Sequence, residues 1–334
     1  MTVIGSGLGS QLSFGKESTY GTGVTMDHFL PADKVSIKQV LNIVQGGGFQ
    51  GQLFQLGARR VITTKGGTGT IETQVTNRGM GLFFQNIMGT SVTPVQIGST
   101  TAYTQTHTFA INAGKSLTIQ SAVPDTTGTA RPYTFQGCKF PSVELTYEVD
   151  KNLDAKWSVD AQQVVEATAV PAASYDATLR QFVGTDVGIT VGSYGSTTPA
   201  SAATGVKKVS IKIERPFKLD RYYLGASGLK AEPIQNDFTK ITGTIEADFV
   251  DKTLWADKFN AQTGFSLQLQ AVGAAIGVSG SNDTFQVTLP CVFLDGDTPT
   301  VESADVVSGS FPFTVLWDAT NLPFVKIISN ETSL

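Results

Sequence analysis

Apolar and polar residues alternate strictly in many short runs of this chain, and a period of two marks half-buried β-strands. Val143, Leu145, Tyr147 and Val149 take one side of a run, and Ser142, Glu144, Thr146 and Glu148 the other. Ala155, Trp157, Val159 and Ala161 share a side in the next run, as do Val209, Ile211 and Ile213 further on. Phe265, Leu267, Leu269 and Ala271, then Phe285, Val287, Leu289, Cys291 and Phe293, then Phe311, Phe313, Val315 and Trp317, repeat the pattern. It predicts strands at 33–45, 115–122, 132–149, 155–165, 206–214, 240–250, 265–272, 284–294, 308–318 and 323–329. The predicted class is all-β. Short strands at regular spacing suit a sandwich or small barrel.

One pattern occurs twice. Gly69-Thr70-Ile71-Glu72 and Gly243-Thr244-Ile245-Glu246 are identical at an offset of 174 residues. Each opens an alternating stretch and meets a candidate helix cap, Asn77 or Asp251. A short apolar segment follows (Leu82, Phe83 and Ile87; Leu254, Trp255 and Phe259), and then a glycine stop, Gly89 or Gly264. Three later stretches parallel one another in the same order: 117–120 with 267–270, the Cys138 strand with the Cys291 strand, and 155–161 with 311–319. This predicts two tandem β-sandwich or barrel domains, each with one short helix. The expected division is 1–30 as an arm or edge strand, 31–165 as the first domain, 166–205 as a junction with an apolar island at 186–194, and 206–334 as the second domain. The first domain carries an insertion at 90–114 that the second lacks. A long insertion of this kind is a candidate intersubunit contact, with Tyr103, His107 and Phe109 as the residues expected to make it.

Composition narrows the function. Lys and Arg number 24 and Asp and Glu 28, a net charge of -4, which does not suit a protein built to grip nucleic acid. Two histidines and two distant cysteines offer no metal-ligand spacing, and HExxH, CxxC and GxSxG are absent. The glycine run at 46–48 has no lysine after it, and at 65–70 the lysine precedes the glycines and a strand follows, so neither is a phosphate loop. Asp295 and Asp297 read as turn formers. No catalytic, cofactor-binding or metal-binding residue is therefore expected. The cysteines read as buried free thiols, with a disulfide between the halves as the alternative. No apolar run is long enough for a membrane helix, and the start lacks signal-peptide character, so synthesis in the cytoplasm without a signal peptide is expected.

The opening GLGSQLSFGKESTYGT (Gly7 to Thr22), the HFLP turn (His28 to Pro31), the first GTIE strand, GMGLFFQNIMG (Gly79 to Gly89), HTFAI (His107 to Ile111), SLTIQ and FQGCKFPSVELTYEV (Phe135 to Val149) carry a family resemblance. The chain resembles tail tube proteins of long flexible-tailed bacteriophages, in a tandem-duplicated form. That resemblance implies β domains joined edge to edge into rings around a channel, and rings stacked into a tube that conducts DNA from capsid to host. It implies a place in the virion tail, with the chain itself, a tape-measure protein, the tail tip and a tail terminator as partners. Three duplicated chains would close a pseudo-sixfold ring, favoured over six. Double-stranded DNA would pass without sequence-specific binding. Outward acids Glu72, Glu144, Glu148, Glu246 and Asp248 are the candidate channel-facing residues, with outer solvent as the alternative. The competing readings are another tail ring component (terminator, baseplate or tip) and a carbohydrate-binding adhesin module using Tyr222, Tyr223 and Trp255.

Overall fold

The computed structural model describes residues 6–49, 51–250, 252–278, 280–296 and 307–334. Asp251 and Asp297 lie outside the described residues. The fold is largely β-sheet. The chain runs through β1 (Gln11–Lys16), β2 (His28–Phe29), β3 (Lys34–Val35), β4 (Lys38–Gln45), β5 (Arg60–Gln74) and helix α1 (Gly81–Met88). It continues through β6 (Val95–Gln96), β7 (Tyr103–Thr108), β8 (Leu117–Pro124), β9 (Ala130–Glu148), β10 (Asp154–Ala161) and β11 (Gln163–Val165). Then come β12 (Val187–Ser193), β13 (Ser201–Ala202), β14 (Val206–Glu214), β15 (Phe217–Lys218), β16 (Ile234–Gln235) and β17 (Lys240–Asp248). Helix α2 (Ala256–Asn260), β18 (Phe265–Ala275), β19 (Asn282–Leu294), β20 (Ser308–Val315) and β21 (Phe324–Ser329) complete it. The predicted strand at 33–45 is broken at Ser36 and Ile37, and the one at 308–318 stops at Val315, leaving Trp317 exposed.

All strand pairings among the described residues are antiparallel, and one run of seven strands crosses both halves in the order β4–β5–β10–β9–β14–β17–β20. Two further runs pack behind it. One is β2–β1–β8–β9–β11, and the other is β13–β12–β18–β19–β21–β7–β6. β9 and β19 are long enough to serve in two runs. The first part of β9 pairs with β8 and its last part with β10 and β14. At the changeover stands Gly137 with φ 66°. A Cβ there would lie 2.8 Å from Cβ of Gln162, so only glycine suits both the dihedral and the space.

Helix α1 is buried on every side, which explains why its apolar residues are not confined to one stripe. Of its two polar residues, Gln85 and Asn86, Asn86 is satisfied: Nδ2 donates to the carbonyls of Lys115 and Cys138, and Oδ1 accepts from the Phe140 N–H. Gly89, with φ 92°, ends the helix as expected. The expected cap at Asn77 is not one. Met80 is the N-cap, and Asn77 instead accepts from the Arg180 N–H (3.0 Å) and donates to Asp283 (2.8 Å). Gly264 likewise precedes β18 and does not stop α2, whose C-cap is Ala261.

The core is one continuous cluster drawing on both halves. Trp157 is fully buried, with ring centroids of Phe83, Phe84 and Phe140 at 5.2, 5.2 and 5.3 Å. Phe84 also meets Phe285 of β19 at 5.5 Å. Both cysteines are buried and free.

The alternation of THTFAI in the 90–114 segment suits a β-hairpin, and the segment departs from expectation in the burial of its histidine. It forms the β6–β7 hairpin, and β7 pairs along its whole length with β21. Gln105 and His107 of β7 point into the core with 0% exposure. The hairpin is thus part of its own subunit's sheet, and His107 is not a surface residue. The pairing partner lies more than 200 residues away, beyond the reach of a local pattern.

Replacing Trp157 with Ala is expected to cost about 3–5 kcal/mol of unfolding free energy, since a buried indole among three rings leaves a cavity that cannot collapse. Denaturant unfolding would measure it, and a change near zero would contradict the packing. Burial also lowers the His107 pKa from its ordinary value to about 4. The unfolded chain takes up the proton near pH 6.5 and the folded chain only near 4. Stability from the neutral imidazole is therefore complete above about pH 6.5 and is lost as pH falls through that window, by about 3 kcal/mol. His107→Gln is expected to flatten this part of the stability profile; an unchanged slope between pH 6.5 and 4 would count against a buried neutral histidine.

Candidate functional surface

The seven-strand run has one buried and one wet face, as its alternation requires. Ile71, Trp157, Val143, Leu145, Ile211 and Ile245 point inward. The residues between them form rows across the strands on the outer face. One row reads Lys34, Glu72, Lys156, Glu144, Lys212, Thr242, each opposite the next in register. A second reads Glu148, Lys208, Glu246, Ser310. A third, Thr70, Ser158, Ser142, Glu214, Lys240, is hydroxylic at one end and charged at the other.

Glu72, Glu144, Glu148 and Glu246 thus share this face, each opposite a lysine, and Asp248 lies at its end. Glu72 Oε1 lies 3.5 Å from Lys34 Nζ and 3.9 Å from Lys156 Nζ. Glu246 lies 3.6 Å from Lys208, Glu148 2.8 Å from Lys151, and Asp248 2.6 Å from Lys207. The hydrogen bond from Lys151 lowers the Glu148 pKa and raises that of Lys151. Exposed pairs of this kind add little stability. Their effect is on the field: neighbouring opposite charges cancel within about a Debye length, ~8 Å at physiological salt, so the face shows no strong potential of either sign. Sequence reasoning found the acids and missed the lysines as their partners. The signal was present, because Lys208 and Lys212 alternate with the inward residues of their strand.

Tyr103 and Phe109 are half-buried at the two ends of β7. His107 packs on the Phe84 ring at 6.1 Å. Trp255 is fully buried, packed with Phe265 and Phe311, and so cannot join Tyr222 and Tyr223 in a carbohydrate groove.

A second, buried set of charges joins the halves. Arg215 donates to the carbonyls of Ile87 and Met88 at the C-terminal end of α1 (3.0 and 2.8 Å) and to Ala110 (2.9 Å). Helix carbonyls left without intrahelical partners are well matched to a cation. Lys230 meets Asp160 at 2.5 Å and Lys139 meets Glu232 at 2.7 Å. Burial lowers the Lys139 pKa, against the pull of Glu232, and raises that of Asp160, against the pull of Lys230.

None of these groups forms a reaction centre. Both ring nitrogens of His28 are engaged, Nδ1 with Asp27 (2.6 Å) and Nε2 with the Leu334 carbonyl (2.9 Å). Burial drives the Cys138 thiol pKa well up, and its Sγ donates to the Phe135 carbonyl. Among the described residues no group of three or more His, Cys, Asp or Glu side chains could hold a metal ion.

A comparison with curated proteins gives no match. A family profile described as phage tail tube protein matches residues 7–315. With most of its length matched and a β-sheet fold behind the match, the chain belongs to the phage tail tube protein family and is a non-catalytic structural component of the tail.

Proposed function

We propose that this chain is the tube subunit itself: copies close into rings, the rings stack, and the polar face of the seven-strand run lines a channel through which double-stranded DNA leaves the capsid. The observation that carries this reading is the charge pattern of that face, polar and balanced across six strands from both halves. A wall of lysines would hold a polyanion by counterion release, and a wall of acids alone would oppose its entry. Alternating signs do neither.

The subunit is read as two copies of one unit, the first at 31–165 and the second at 206–334, with three chains forming a pseudo-sixfold ring. Several observations support the duplication. Lys34–Lys38 and Lys208–Lys212 are the same pentapeptide, KVSIK, at the same offset of 174 residues as the GTIE pair. Lys38 stands opposite Thr68 as Lys212 stands opposite Thr242. Strand order also repeats, β4–β5–β10–β9 matching β14–β17–β20–β19. The pairing of β12 with β18 supports counting the junction segment with the second unit. The tape-measure protein inside the tube, and the tip and terminator at its ends, are the further partners in this reading.

Electron microscopy of the purified chain is expected to show hollow tubes or stacked rings, with a ring mass of three chains. Replacing Glu72, Glu144, Glu148 and Glu246 together by Gln leaves the face lysines in excess, with Glu214 as the remaining acid of the three rows. Tubes of that variant are expected to retain duplex DNA at low salt and release it as salt rises, with wild-type tubes retaining none. Equal behaviour of the two would place the face outside the channel.

A further inference from the structure

Residues 330–334 follow β21 and pass over the first turn of α1 to meet the β1–β2 hairpin. They form a strap held at two points. At the first, Glu331 Oε1 accepts from the Gly79 N–H (2.8 Å) and Oε2 from Gln105 Nε2 (3.4 Å). The Leu334 side chain then closes on α1, where a Cβ added to Gly81 would stand 2.6 Å from Leu334 Cδ2. At the second point the Leu334 main-chain oxygen lies 2.9 Å from His28 Nε2, across 306 residues of chain. The strap lines a cavity of about 610 Å³ together with Lys16, Val24, Leu82 and Pro94.

The second point has a chemical requirement. His28 Nδ1 faces Asp27 Oδ1 at 2.6 Å, while Nε2 faces the Leu334 oxygen. A carboxylate and a main-chain oxygen accept hydrogen bonds and donate none. A neutral imidazole has one N–H and one lone pair, so it satisfies one of these oxygens and turns its lone pair on the other. The imidazolium donates to both. The Phe14 ring, stacked on His28 at 5.5 Å with 24° between the planes, offers its face to the same charge. Two further charged groups bear on it: Lys16, lining the same cavity, opposes the charge, and Glu331 favours it. Glu331 in turn feels Arg78, and Gln105 links it to the buried His107.

We propose that His28 is a proton-operated clasp: protonated, it ties the strap to the β1–β2 hairpin, and on losing its proton it gives up one of its two acceptors and the strap loosens over α1. Closing the strap therefore takes up a proton, and closure weakens as pH rises. Glu331 acts in the same direction. Burial raises its pKa, so its contribution to closure is complete below the ordinary carboxylate value and is lost as pH rises through the raised one. His107 titrates at about 4, below the interval of about pH 5 to 8 in which histidine switches work.

The full chain carrying Glu331→Gln isolates the clasp, because glutamine still accepts from Gly79 and does not titrate. Deuterium exchange of its 329–334 and 79–81 amides, corrected for the intrinsic pH dependence of exchange, is expected to show about tenfold less protection near pH 8 than near pH 5. Adding Asp27→Asn is the deciding change. Asparagine offers an N–H to the unprotonated Nδ1 while Nε2–H still donates to Leu334, so a neutral ring keeps both contacts. The strap of that variant is expected to stay protected at both pH values. His28→Gln, which carries no charge, is expected to bring protection near pH 5 down to the level seen near pH 8. Exchange in β9 is expected to be the same throughout, which separates an opened strap from a general loss of fold. Equal protection at the two pH values with Asp27 in place, or an undiminished loss with asparagine there, would overturn the inference.

Discussion

The backbone pairing of β9 is the constraint on which the rest of the structure depends. Its residues pair with β8, β10, β11 and β14, so one strand ties an outer run to the wet sheet and the first half to the second. Every buried N–H and C=O must find a partner, and a strand that changes neighbours midway satisfies that demand only if it can bend. Gly137 supplies the bend. Once β9 is placed, the register with β14 follows from inward Val143, Leu145 and Tyr147 meeting inward Ile213, Ile211 and Val209. A slip of β14 by one residue would turn its three inward residues into solvent. The charge rows on the opposite face are a consequence of that register.

Charges act in two different ways in this molecule. On the wet face they are solvated, cheap to place and weak. Between the halves, Arg215, Lys230–Asp160 and Lys139–Glu232 are withdrawn from water, and the burial that lowers the Lys139 pKa and raises that of Asp160 records the desolvation each has undergone. Such pairs return little net stability against an apolar packing of the same volume. What they fix is geometry. Arg215 meets the two carbonyls at the helix end, the Ala110 carbonyl and Gln235 at once, a set of acceptors that fixes where the 215–239 arm docks.

Much of the fold was legible because period two is a strong local signal. β14, β17, β18, β19 and β21 fall within a few residues of their predicted limits. Gly89 was legible for the same local reason. What failed was non-local. Asn77 looks like a cap until Arg180 and Asp283 arrive from 103 and 206 residues away. His107 looks exposed among threonines until β21 covers β7. The candidate acids were legible as outward residues, but their neutralisation by lysines on neighbouring strands depends on pairing order, which alternation does not encode. The KVSIK identity was readable without any structure, yet its meaning was not: two equal strands become informative only when one is seen to have two neighbours and the other one.

The wet face and the open edge are linked by the same physics. An antiparallel sheet with one solvated face can end in two ways in a monomer, by charging its edge or by covering it. Here the covering device exists, in the arm at 215–239, but it serves the inner junction. The outer edge keeps short β3, a hairpin with apolar side chains, and lysines spaced as they are where carboxylates oppose them. In the ring proposed above, a strand of a further copy that met KVSIK in the register of β9 on β14 would cover that edge and set carboxylates against its lysines in the same step. An electrically quiet surface and a covered edge would then be two results of one strand pattern.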